Sequence, residues 1–194
     1  MPPLHRSALP EPARVVVLHG TSSAGKTSLA KAMQACWASP LHHVQADVFR
    51  AMEPPAYWDR WDTREKPTID LMLDALCGAV HAAVDAYAKH GQEVVLDTVI
   101  TNPRARQLLA EDLAHLPVYL IGVRCDPAET VRREAARGNR AVGLAASQFD
   151  WIHKRMQYDI EVDTTGKSPE KVAADISHWL TTGPVPTALQ RLRA

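Results

Sequence analysis

Gly20-Thr21-Ser22-Ser23-Ala24-Gly25-Lys26-Thr27 follows the spacing G-x-x-x-x-G-K-[ST], and each part of that pattern has a task in holding a nucleoside triphosphate. The glycines let the backbone turn tightly, so that successive N–H groups can face phosphate oxygens. Lys26 would reach the β- and γ-phosphates, and the Thr27 hydroxyl would ligate Mg²⁺. Ser28 opens the helix that follows, whose dipole puts its positive end at the same spot. Gly20 to Ser28 are therefore the expected nucleotide-binding residues.

Two carboxylates stand where phosphoryl transfer would use them. Asp97 ends the apolar run Glu93-Val94-Val95-Leu96, a position from which a carboxylate organises the Mg²⁺ shell in phosphate-loop enzymes. The plainer alternative is a turn carboxylate bonded to nearby backbone N–H groups. Asp47 follows the run Leu41–Ala46 in the same way. Facing a γ-phosphate, it could take the proton of an acceptor hydroxyl as general base. As an N-cap, it would start a helix at Val48-Phe49-Arg50. The two roles are compatible.

Arginines crowd residues 132–140. Arg133 and Arg137 share a helix face, and Arg140 follows the Gly138 break. Such a cluster can close as a lid and neutralise charge on a transferring phosphoryl group. Alone it reads as a solvated basic face, with Glu129 pairing to Arg133; beside a phosphate loop, the lid is the better reading. Tyr57, Trp58 and Trp61 lie in an irregular stretch, where they serve either as walls of an acceptor site or as anchors of the loop. His42 and His43 read as strand residues.

These groups need a scaffold that gathers them. Val15–Leu18, Leu41–Ala46, Glu93–Asp97, Val118–Val123 and Ile160–Val162 read as strands. Helices are expected from Ser28, over Thr68–His90 with Gly91 as its stop, from Asn102-Pro103, from Asp126-Pro127 to Gly138, over Ala146–Arg155, and from Ser168-Pro169 to Gly183. Strands alternating with helices, most strands being continuous apolar runs, argue for a parallel sheet covered on both faces. Ligands then bind beyond the carboxyl ends of the strands, which brings residues 20–27, Asp47 and Asp97 to one edge.

A chain of 194 residues suits one α/β domain. The expected layout is a leader over 1–13, a domain over 14–183 and a proline-containing tail over 184–194. Within the domain, the acceptor loop would span about 50–67 and the lid about 130–141. The formal net charge of +0 argues against a nucleic-acid or membrane surface. No apolar run approaches the ~20 residues of a membrane span, and no secretory signal pattern opens the chain. Cys36, Cys77 and Cys125 lack metal-ligand spacing and read as buried thiols of a reducing, cytoplasmic compartment.

The loop residues and the placing of Asp47, 21 positions after Lys26, resemble the chloramphenicol phosphotransferases. So do Val123-Arg124-Cys125-Asp126 with Arg133-Glu134 and Ala136-Arg137-Gly138-Asn139-Arg140, similar to that family's lid, and Tyr158–Thr165, similar to its final strand. The likeness spans roughly residues 14–180. It implies a three-layer phosphate-loop kinase fold with a five-stranded parallel sheet, as in nucleoside monophosphate and shikimate kinases, and an arginine-rich lid. It further implies ATP and Mg²⁺, a hydroxylated small-molecule acceptor, Asp47 as general base, and Lys26 and Thr27 on phosphate and metal. Asp97-Thr98 departs from the paired aspartates of the family, and the segment over 50–67 shows no likeness, which leaves the acceptor open. The expectation is an ATP-dependent O-phosphotransferase acting on an antibiotic such as chloramphenicol. The alternatives are a kinase of a sugar acid, nucleoside or nucleotide-sugar, and an ATP-binding regulator that transfers nothing. Oligomeric state is not legible.

Overall fold

The β-branched run Val15–Val17 opens β1 (Val15–His19), every residue of which is buried. The protein is seen here as a computed structural model that describes residues 13–54, 66–137 and 143–193, apart from the side chains of Lys66, Pro67 and Arg137. The further strands are β2 (Leu41–Gln45), β3 (Glu93–Thr98), β4 (Val118–Arg124) and β5 (Ile160–Asp163). They form one parallel sheet in the order β2-β3-β1-β4-β5.

Alternation along β1 divides the core into two layers. Val15 and Val17 face one side, with Val80 and Val84 of α3 (Lys66–Lys89), Leu109 of α4 (Pro103–Asp112) and Leu189 of α8 (Ala188–Arg193). Val16 and Leu18 face the other, with Leu29 and Met33 of α1 (Lys26–Cys36) and Ile176 of α7 (Pro169–Thr182). The remaining helices are α2 (Ala46–Ala51), α5 (Pro127–Arg137) and α6 (Leu144–Gln148).

The helix ends follow the local chemistry. Asn102 and Ser168 cap α4 and α7 through their side chains, each with proline at the helix start. Gly91 (φ 73°) ends α3, its N–H bonded to the Ala88 carbonyl and that of Gln92 to the Tyr87 carbonyl.

Four expectations are corrected. The helix expected over Ala146–Arg155 stops at Gln148 and continues as turns. The Ile152 carbonyl is bonded to His19 Nε2 (3.0 Å), and Arg155 takes φ 60°. Residues 188–193, expected in a tail, form α8, whose start is held by the Thr187 and Ala188 N–H groups on Asp159 Oδ1 (2.7 and 2.9 Å). Asp47 is not an N-cap, because α2 already begins at Ala46 behind Gln45. The thiols are not all buried: Cys77 and Cys125 are half-buried, and Cys36, the last residue of α1, is exposed with its thiol on the Met33 carbonyl (3.6 Å). Among the described residues no helix is long and apolar enough to cross a membrane.

Candidate active site

Strand register explains why residues so far apart meet. Asp97 pairs with Leu18 on one side and Gln45 on the other. The phosphate loop starts one residue after His19 and Asp47 lies two beyond Gln45, so all three reach the carboxyl edge together. They line one cleft of about 830 Å³, along with Arg133 of α5 and part of α3. That volume suits a nucleotide and a small acceptor.

The loop is shaped for an anion. Ser23 (φ 59°) and Gly25 (φ 92°) are both left-handed, an alternation that gathers successive N–H groups into a concavity. The first N–H groups of α1 lack intrahelical partners. No side chain caps this helix and no acid stands in its first turn, so its positive end is left to an incoming anion. A Cβ on Gly25 would lie 3.2 Å from Arg133 Nη1. Gly20, Thr21 and Ala24 form the back of the loop: Gly20 lies on the Val123 carbonyl, and Lys26 Nζ donates to the Gly20 and Thr21 carbonyls (2.9 and 2.8 Å). Ser22, Ser23, Thr27 and Ser28 face the cleft with Lys26 and Gly25.

Beside the loop, Thr27 Oγ1 donates to Asp97 Oδ2 (2.6 Å). Burial of Asp97 works against its charge. His43 Nε2 at 3.8 Å, the Lys26 ammonium and the Thr27 hydroxyl outweigh it and hold the carboxyl below its ordinary range. The donors at this corner are a hydroxyl and a carboxylate, which fit a hard cation such as Mg²⁺ that stays partly hydrated. His43 Nε2 is buried without a hydrogen-bond partner, an unanticipated polar atom beside that corner.

Arg133 makes contacts in two directions. Its Nε donates to Glu129 Oε1 (2.8 Å), the i,i+4 pair of a solvated face. Its Nη1 and Nη2 donate to Thr164 Oγ1 and to the Thr164 carbonyl (3.2 and 3.0 Å), which docks the guanidinium over the loop. Arg132 also pairs with Glu129, whose carboxyl the two arginines hold down to about 2. Arg140, Tyr57, Trp58 and Trp61, and the side chain of Arg137, lie outside the described residues.

Three residues not singled out from the sequence hold the site together. Gln148 Oε1 accepts from the Ser22 N–H (2.7 Å) and ties α6 to the loop. The Thr164 hydroxyl donates to the Ala24 carbonyl (2.8 Å) while accepting from Arg133. Buried Glu134 accepts from the Gly143 and Ala145 N–H groups (2.7 and 2.9 Å) and so fastens α5 to the start of α6. Only Thr164 left a signal, in its place at the end of a strand on the same sheet edge.

The sequence profile of the chloramphenicol phosphotransferase-like protein family matches residues 13–181. A protein of Mycobacterium tuberculosis (strain ATCC 25618 / H37Rv) named "Putative O-phosphotransferase Rv2636" is 30% identical over 211 residues, covering 96% of this chain and 90% of its own length. Solved structures share the fold. The M. tuberculosis APS kinase CysC in complex with AMPPNP and APS has a TM-score of 0.65 at 14% identity, over 89% of this chain and 99% of that one. Shikimate kinase from Acinetobacter baumannii in complex with shikimate has 0.63 at 13% identity, over 89% and 95%. The tunicamycin resistance protein of Deinococcus radiodurans has 0.61 at 15% identity, over 90% and 98%. The chain belongs to the chloramphenicol phosphotransferase-like family and is a small-molecule kinase.

Proposed function

We propose that the protein uses ATP and Mg²⁺ to phosphorylate a hydroxyl of a small acceptor such as chloramphenicol, with Asp47 as general base. The observation that carries this reading is the single cleft onto which the phosphate loop, Asp47, Asp97 and Arg133 all open. A nucleotide-binding regulator needs no carboxylate at the position of a general base.

The loop N–H groups and Lys26 bind the β- and γ-phosphates, with Lys26 exchanging its two loop carbonyls for phosphate oxygens. Thr27 and Asp97 would hold the metal, which would neutralise charge developing on the phosphoryl group. Asp47 orients the acceptor hydroxyl and accepts its proton. The acceptor oxygen forms its bond to the γ-phosphorus as the bond from that phosphorus to the bridging oxygen breaks, and ADP leaves with the electron pair. Lys26, Arg133, Arg137 and Arg140 stabilise the charge in transit. Positioning and charge supply most of the acceleration in such a transfer.

The test is ADP release from ATP·Mg²⁺ against a panel of chloramphenicol, other antibiotics, nucleosides and sugar acids, with products identified by mass. Strong stimulation by chloramphenicol and a phosphorylated product support the full reading. Stimulation by a sugar acid or nucleoside alone keeps the chemistry and replaces the acceptor. ATP binding without stimulation by any acceptor favours the regulator.

A further inference from the structure

The α3 side of the cleft carries a polar device that the transfer chemistry does not use. Leu73, Leu76, Cys77, Val80 and His81 line the cleft at positions i, i+3, i+4, i+7 and i+8, which form one helix face. Leu73, Leu76 and Cys77 are only half-buried, so their apolar surface is left uncovered toward the cleft. His81 is 6% exposed, and its Nδ1 lies 2.7 Å from Asp112 Oδ2 on α4.

An ionised carboxylate only accepts hydrogen bonds, so the proton of this contact sits on Nδ1. In a neutral ring Nε2 then keeps its lone pair. Burial lowers the His81 pKa against the opposing pull of Asp112, which keeps the ring neutral near pH 7. With Nδ1 committed to Asp112, Nε2 is the polar atom His81 has left to offer the cleft.

We infer that His81, oriented by Asp112, is an acceptor-recognition residue whose Nε2 takes a hydrogen bond from a second hydroxyl or N–H of the acceptor while the acceptor's apolar body lies along Leu73, Leu76, Cys77 and Val80. This rests on the kinase reading of the same cleft and narrows its substrate class. The acceptor is an uncharged molecule with an apolar body, the hydroxyl that takes phosphate and a further donor. Asp47 serves the reacting hydroxyl, and His81 reads the other group. An anionic group pressed on the α3 wall would lose its hydration against apolar carbon and meet a lone pair at Nε2.

The test uses the full chain loaded with AMPPNP and Mg²⁺, and two probes. One is a phenylpropanediol with benzylic and terminal hydroxyls; the other is the matching phenylpropanol with the terminal hydroxyl only. Nitrogen NMR of the imidazoles is expected to show His81 protonated at Nδ1 and bare at Nε2, with the Nε2 resonance moving on addition of the diol. By calorimetry the diol is expected to bind about fivefold more tightly than the alcohol, the size of one hydrogen bond. His81→Leu should bring that ratio to about one with the Kd for AMPPNP within twofold. His81→Gln, whose carbonyl can again accept, should restore part of it.

A proton on Nε2, binding of neither probe, equal affinity for both, or a preference that survives in His81→Leu each overturns the inference. The tautomer needs no variant, so a misfolded substitution does not shield the idea. Failure of the kinase reading is separate: the diol binds with the expected preference, but ATP is not consumed.

Discussion

Thr27 donates its hydroxyl proton to Asp97 Oδ2 at 2.6 Å, joining the first turn of α1 to the end of β3 across seventy positions of sequence. The bond holds both oxygens where a cation between them and a triphosphate would find them, and Lys26 and His43 keep the carboxylate charged. Asp97→Asn keeps the size of the side chain and removes the charge. The expected result is a loss of about a hundredfold or more in kcat/KM for ATP·Mg²⁺, of the order seen when one preorganised charge is removed from an active site. The Mg²⁺ concentration for half-maximal ADP release should rise with it. An unchanged Mg²⁺ dependence would return Asp97 to the role of a turn carboxylate.

Asp47 stands in the first turn of α2, exposed to the cleft. Its side chain lines the same cleft as the phosphate loop and Asp97. Asp47→Asn should lower kcat by about two to four orders of magnitude, the usual weight of a positioned base. Nucleotide affinity, read by displacement of a fluorescent ATP analogue, should stay within about twofold. Near-normal turnover would sink the base assignment.

How far the site was legible follows from where its contacts lie. Asp97 and Asp47 were found because an acid ending an apolar strand marks the sheet edge, and parallel topology turns that into a shared location. Asp112 and His81 carried no such mark. They lie on two helices whose pairing depends on packing, and each reads alone as an ordinary helix residue. Gln148 was hidden for a related reason: its partner is a backbone N–H in the phosphate loop, a contact no periodicity encodes. The overlong helix over 146–155 failed through the same kind of long-range bond, since the Ile152 carbonyl serves His19. Residues 184–194 read as a tail because they follow Gly183 and contain Pro184 and Pro186. The burial of Leu189 against the sheet becomes visible only in three dimensions.

Gly20 separates the demands of folding from those of phosphate binding. A Cβ there would lie 2.2 Å from the Val123 carbonyl oxygen, a backbone atom of β4 that cannot swing aside. Gly20→Ala should therefore destabilise the fold by more than about 2 kcal/mol, at the upper end of overpacking costs. Urea unfolding of the nucleotide-free protein would show it as a lower midpoint. A glycine needed only for phosphate approach would leave that midpoint unchanged and weaken ATP binding alone.

His19 makes stability depend on pH. Its Nε2 donates to the Ile152 carbonyl and its Nδ1 accepts from the Ile100 N–H, so the folded ring is neutral and fully used. Burial is the main cause of its low pKa and outweighs the Ile152 carbonyl, which favours the proton; nearby Lys26 adds to the lowering, and the folded value falls from 6.5 to about 3. In the unfolded chain the ring takes a proton below about pH 6.5, while the folded chain refuses it until near 3. The unfolded state thus binds more protons between those values. Stability is full above about pH 6.5 and is lost as pH falls, at up to about 1.4 kcal/mol per pH unit for this one group. His153, lowered mainly by burial to about 4, adds a similar loss over a shorter range. Urea unfolding between about pH 8 and pH 5 should show a flat upper region and a decline that begins near 6.5. His19→Gln keeps a donor and an acceptor without a titrating group. It should be less stable at pH 8 and should lose part of that decline, and equal slopes in the two proteins would remove His19 as its cause.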